Sequence, residues 1–106
     1  MELFKENELD WHEKFPGARV KVLHSERMTI TLWEFEPETD LPEHSHPHEQ
    51  ISMVREGRIT LTVDGEAKTL VPGDMLVIPP DAVHSARSEI RTQVMDVFSP
   101  VREDFK

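Results

Sequence analysis

Residues 50–70, QISMVREGRITLTVDGEAKTL, decide the fold. Ile59, Leu61 and Val63 alternate with Thr60, Thr62 and Asp64, the period of two expected of a strand with one buried face. Asp64-Gly65 follows directly. A two-residue type I′ turn needs positive φ at both central positions, which this pair accepts. Glu66–Leu70 then reads as the returning strand. On the other side, Gln50–Glu56 reads as a strand that Gly57 turns into the alternating one. Strands joined by turns this tight must be antiparallel.

Outward from this core the same punctuation repeats. Pro72-Gly73-Asp74 turns into Met75–Ile78, and Pro79-Pro80-Asp81 turns again before a stretch that begins at His84. Thr92–Phe98 reads as the last strand, ended by Pro100. Upstream, Arg19–His24 and Met28–Phe35 read as strands, with a turn-rich acidic loop from Pro37 to Pro42. Short strands spaced by ~8–12 residues predict an all-β protein, a small antiparallel β-barrel or sandwich. Closure into a barrel also removes the edges that invite aggregation. A chain of 106 residues fits one domain. Residues 26–106 are read as the barrel. Residues 1–25 are read as an N-terminal arm packing on it or on a partner subunit, with Leu9, Trp11 and Phe15 as anchors and a turn at Pro16-Gly17.

The formal net charge is -9, from 21 acidic and 12 basic residues. No basic stripe is available for nucleic acid or an anionic membrane. A small anionic substrate fits only if a few cations are held locally. There are no cysteines, so any metal must sit on nitrogen and oxygen donors. The N-terminus, MELFKENELDW, has no apolar signal region, and no apolar run approaches the ~20 residues of a membrane helix. The expectation is a cytoplasmic protein.

Three histidines, His44, His46 and His48, fall within five residues. A solvated histidine-rich loop is the plain reading of such a cluster. The spacing favours a site. His44, His46 and Gln50 share a parity, so one wall of a barrel can present all three inward. His84, just after the Pro-Pro turn, is placed to supply a fourth ligand from a separate strand. His48 shares the parity but follows Pro47, which interrupts the ladder. It is the rival ligand or a group orienting one. Glu49 is the other rival, with a better donor but the wrong parity. The expected set is His44, His46, Gln50 and His84 around one divalent transition-metal ion: Zn, Ni, Fe, Mn or Co. Four neutral donors leave the full double charge uncompensated, which makes a Lewis acid for substrate oxygens.

These residues resemble the cupin superfamily. The stretch His44-Ser45-His46-Pro47-His48-Glu49-Gln50, followed by Gly57, looks like the first cupin motif. Gly73, Pro79 and His84 look like the second, with Asp81 where glycine is frequent. The resemblance implies a jelly-roll barrel with a metal in its mouth, often dimeric. Met95-Asp96-Val97-Phe98-Ser99-Pro100-Val101-Arg102-Glu103-Asp104-Phe105 resembles the tail of the KdgF-type cupins of pectin and alginate breakdown. Those proteins open the ring of 4,5-unsaturated uronates to a linear keto acid. The resemblance implies the same metal set here, with the functional acid, aromatic and arginine on Asp96, Phe98 and Arg102.

The tail residues carry a case of their own. If Met95 and Val97 face one side, Asp96 and Phe98 face the other, and an inward carboxylate is costly unless paired or working. Asp96 is read as a general base or acid, with a structural ion pair as the alternative. Arg102, beyond Pro100, is read as a fork for a substrate carboxylate, with a surface charge as the alternative. Phe98 is read as a sugar-ring contact or as core. The leading expectation is therefore a metal-dependent enzyme acting on a small sugar acid. Rival functions are a metal-dependent dioxygenase or isomerase, and a ligand-binding cupin without catalysis. Ile51 and Met53 have the parity opposite to Gln50 and would form an outer apolar patch for the N-terminal arm or a second subunit to cover, and a two-fold homodimer is the expectation.

Overall fold

In the computed structural model, which describes residues 1–106, a 3-10 turn at Glu6–Glu8 precedes ten strands. They are β1 (His12–Phe15), β2 (Ala18–His24), β3 (Thr29–Phe35), β4 (Thr39–His44) and β5 (Glu49–Glu56). They continue with β6 (Ile59–Val63), β7 (Glu66–Leu70), β8 (Met75–Ile78), β9 (His84–Ser88) and β10 (Thr92–Ser99). A second 3-10 turn, Glu103–Phe105, closes the chain. No helix is long and apolar enough to cross a membrane.

The strands form two antiparallel sheets, ordered β1-β2-β3-β10-β5-β8 and β4-β9-β6-β7. This is the jelly-roll arrangement, all-β and in one domain. The hairpin at Asp64-Gly65 has the expected turn, with φ +47° and +83° at its two residues. Alternation along β5, β6 and β10 turns Val54, Ile59, Leu61 and Val94 inward. They meet Ala18, Val20, Trp33 and Phe35 from the long sheet and Ala86 from the short one. Trp33 stacks on Phe35 within this core, with centroids 5.5 Å apart.

Two segments differ from the sequence reading. The acidic loop expected from Pro37 to Pro42 is largely strand β4. Pro42 is tolerated because β4 is an edge strand, and the pairing with β9 shifts register between Leu41 and His44. Residues 1–25, read as an arm, contribute β1 and β2, and β2 pairs with β3 along its whole length. The side chain of Trp11 lies against the outer face, with the Arg19 guanidinium 4.2 Å from its ring centroid. Arg19 and Arg91 in turn reach Glu34 at 2.6 and 2.7 Å. Burial alone would raise the Glu34 pKa. The hydrogen bonds from Arg19, Arg91 and Gln93 more than offset it and hold the carboxyl below its usual value.

Gly57 is the tightest joint between the sheets. It takes φ +85°, and a Cβ there would collide with the Arg91 carbonyl and sit 2.6 Å from Thr92 Oγ1. Both atoms are fixed, since Thr92 is fully buried and donates to the Arg58 carbonyl. Gly57→Ala is therefore expected to destabilise the fold by about 2–4 kcal/mol, from strain plus overpacking. Gly65→Ala, whose Cβ meets nothing within 4 Å, should lose about 1 kcal/mol. Thermal unfolding of the two variants checks the order; equal losses would contradict it.

Candidate metal centre

The four residues expected to bind metal come from both sheets. His44 ends β4 and His84 begins β9, and the two are direct cross-strand partners. Their ring centroids are 4.2 Å apart. Gln50 lies in β5, in the opposite sheet. His46 sits in the connection between β4 and β5, and its ring is 4.9 Å from that of His84. The expectation that one wall presents His44, His46 and Gln50 is thus replaced by a corner. The chain crosses between sheets at this point, and shared parity is not what brings the three together.

The backbone fixes each imidazole. Nδ1 of His44 meets the Pro42 carbonyl at 2.9 Å, Nδ1 of His46 the His48 carbonyl at 3.1 Å, and Nδ1 of His84 the Ala82 carbonyl at 2.8 Å. A carbonyl only accepts, so each Nδ1 carries the hydrogen. When the rings are neutral, each Nε2 is left with a lone pair. Burial, with help from Arg102, pushes the His46 pKa down to about 4, and burial lowers that of His84. Both rings therefore stay neutral near pH 7. One donor atom from each of His44, His46 and His84 lies within 4.8 Å of the others.

Two observations fit this donor set to a divalent cation. The buried Nε2 of His84 has no hydrogen-bond partner. His46 Nε2 lies 3.0 Å from Gln50 Oε1, while Gln50 Nε2 donates to Ser52 Oγ at 2.9 Å. In that orientation two lone-pair atoms face each other. A cation shared between them relieves the repulsion, since donors each about 2.1 Å from one ion lie ~3 Å apart.

The two rival ligands are placed elsewhere. Glu49 is exposed. His48 turns its Nε2 to the Val101 carbonyl at 3.1 Å, tying the first motif to the C-terminal tail. Its own carbonyl holds His46. His12 is exposed, and His24 bonds Thr29 Oγ1 at 2.8 Å. A further tie joins the two motifs, from the Asp81 N–H to the His46 carbonyl at 2.9 Å. Asp81 takes φ +65° there, a conformation that aspartate tolerates better than most residues. Asp64 Oδ1 accepts from the Val83 N–H at 3.2 Å, anchoring the approach to His84.

The donors open on a cavity of about 260 Å³. It is lined by Asp96, Phe98 and Arg102 beside His44, Gln50 and His84. Asp96 stands between Thr31 and Ser52 in register and is 7% exposed. Burial pushes its pKa up to about 6, against the opposing pull of Ser52, Gln50 and Arg102. Its Oδ1 has no hydrogen-bond partner. Phe98 packs its ring edge-on to His46 at 5.6 Å. Arg102 folds back over the mouth, sandwiched at 4.7 Å from the Phe98 centroid and 4.6 Å from that of Phe105. Its Nε and Nη2 are taken by Asp104, at 2.9 and 2.7 Å. That pair holds the Asp104 carboxyl down at about 2. Ser52 was not singled out from sequence, although its parity with Gln50 is the signal that finds it.

This fold and this corner of imidazoles define a cupin. The chain belongs to the cupin domain family, which it matches over residues 31–98. It is 29% identical over 105 residues to the pectin degradation protein KdgF of Dickeya dadantii (strain 3937), covering 96% of each chain. Its structure matches that of KdgF from Halomonas sp. with a TM-score of 0.93, at 31% identity, over 100% of this chain and 99% of that one. It matches an RmlC-like cupin from Shewanella frigidimarina NCIMB 400 with a TM-score of 0.94, at 28% identity, over 100% and 96% of the two chains.

Purified protein reloaded with zinc or nickel is expected to hold one ion per chain by elemental analysis. His84→Ala should weaken binding at least ~100-fold in competition with a chelator, with an unchanged β-type circular dichroism spectrum. Wild-type affinity in a folded His84→Ala protein would contradict the assignment.

Proposed function

We propose that the protein opens the ring of 4,5-unsaturated uronates to a linear keto acid, with a divalent metal ion on His44, His46, Gln50 and His84. The observation that carries this reading is Asp96, a buried carboxyl with a pKa of about 6 and one unpartnered oxygen, in the same cavity as the imidazole corner. The similarity to KdgF along nearly the whole chain supports the substrate class. A cavity of about 260 Å³ is scaled to one sugar ring rather than to a polymer.

A bound divalent cation would supply Lewis-acid polarisation of a substrate oxygen. The chain's residues do the rest. Phe98 gives the sugar a flat apolar contact. Arg102 presents positive charge at the mouth; Asp104 occupies one edge of its fork, which leaves Nη1 for the substrate carboxylate. The Asp96 carboxylate accepts the proton of the anomeric hydroxyl as the C1–O5 bond breaks and C1 becomes an aldehyde. The electron pair stays on O5, giving an enolate over O5, C5 and C4. The same carboxyl returns the proton to C4, and C5 becomes a ketone. One proton moves from O1 to C4 and no other reactant is consumed. A group with a pKa near 6 suits both halves of that transfer.

Asp96→Asn is expected to lower kcat by about 10²–10⁴ on unsaturated galacturonate, followed by the loss of its ultraviolet absorbance. Decay at the wild-type rate would overturn the role of Asp96. Decay equal to that of buffer with the metal-loaded wild type would overturn the function.

We further propose a homodimer. Leu23, Ile30, Val97, Ile51 and Val77 are successive cross-strand partners on the outer face of the long sheet. Phe4 and Leu9 border a hollow with Leu23, Ile30, Leu32 and Met95. Beyond it Ile51, Met75 and Val77 remain exposed, at 37%, 71% and 56%. A second copy related by two-fold symmetry would cover that half of the face. Sedimentation should give a dimer for the wild type and a folded monomer for Val77→Asp; a monomeric wild type would exclude it.

A further inference from the structure

The mouth of the cavity holds a cation that the sequence reading did not single out. Lys14 lies in β1, and the pairing of β1 with β2 slips there. His12 faces Val20 and Glu13 faces Arg19, but Phe15 faces Ala18, so Lys14 is the extra residue of a β-bulge. In a regular strand neighbouring side chains point to opposite faces. Here Lys14 and Phe15 line the same cavity. The bulge lets Phe15 reach Trp33, at 6.4 Å between centroids, and aims Lys14 at the opening.

Lys14 Nζ lies 4.7 Å from the Phe105 centroid, over the same ring that packs against Arg102. The N-terminal hairpin and the C-terminal tail thus bring two cations to one aromatic platform. They differ in what they hold. Arg102 grips Asp104 with two nitrogens, while Lys14 forms no ion pair in a chain with 21 acidic residues. It is exposed and lines the cavity, so its ammonium is open to an incoming molecule. A chain of net charge -9 repels anions generally. An unpaired lysine at the opening is the local exception that draws one in.

We infer that Lys14 is a substrate-binding residue that selects for a carboxylate on the sugar. This rests on the uronate reading above and deepens it: Lys14 separates the free acid from its neutral ester. It does not touch the bond that breaks, so its contribution falls on binding rather than on the chemical step.

The test uses metal-loaded protein and two probes, D-galacturonate and its methyl ester, with binding followed by calorimetry or protein NMR. Lys14→Met should bind the acid about three- to tenfold more weakly than the wild type, and Lys14→Arg should restore most of the loss. The ester should bind all three proteins alike. On unsaturated galacturonate, Lys14→Met should raise KM by a similar factor with kcat within about twofold. Equal affinities of wild type and Lys14→Met for the acid would overturn the inference. So would equal losses for acid and ester, or a wild type that binds neither probe. Turnover of unsaturated galacturonate with no Lys14 effect sinks this inference and spares the function. A Lys14 effect on binding without turnover does the reverse.

Discussion

Three backbone carbonyls hold the imidazole corner together. Those of Pro42, His48 and Ala82 each take the Nδ1 hydrogen of one imidazole and so fix both its tautomer and its direction. One donor nitrogen of each ring lies within 4.8 Å of the others. Burial keeps His46 and His84 neutral, so lone pairs rather than protons meet there. Such a cluster is costly in an empty core and is relieved by a cation. The stacked Arg102 and the raised pKa of Asp96 belong to the same enclosure.

The fold delivers this corner through its irregularities. The regular ladders build the core, with Trp33, Phe35, Val54 and Val94 in the long sheet facing Ile59 and Leu61 in the short one. Gln50, Asp96 and Phe98 come from regular ladder positions, while other working groups sit where the ladders slip or stop. His44 follows a register shift, His46 lies between strands, and Lys14 is the bulged residue of β1. Asp81 binds the carbonyl of His46, and Asp64 binds the N–H of Val83 beside His84. The first contact clamps the two motifs to each other, and the second clamps the approach to His84 onto the β6–β7 turn. Rigid sheets with side chains aimed from their defects suit a site that must hold one geometry.

The same division explains what could be read from the sequence. The period of two in 59–64 and the turn at Asp64-Gly65 are local, and both appear as expected. The inward placement of Asp96 and Phe98 follows from alternation alone. The clustering of His44, His46 and His84 is legible through the resemblance to the cupin motifs, and the fold does bring those three together. Shared parity along one wall is not what brings His44, His46 and Gln50 together, because the chain crosses between the sheets from β4 to β5. The strand at Thr39–His44 hid behind prolines and acids, because an edge strand tolerates what an inner one cannot. The bulge at Lys14 leaves no local signal, because it depends on how the first strand pairs with the second and meets the last turn.

The central claim is that four neutral side chains converge on one cation. Anomalous diffraction at the absorption edge of the loaded metal tests it most directly. The account requires a single strong peak bonded to Nε2 of His44, His46 and His84 and to Oε1 of Gln50. A peak held instead by His48 or Glu49, or no peak from crystals soaked in metal, would contradict it.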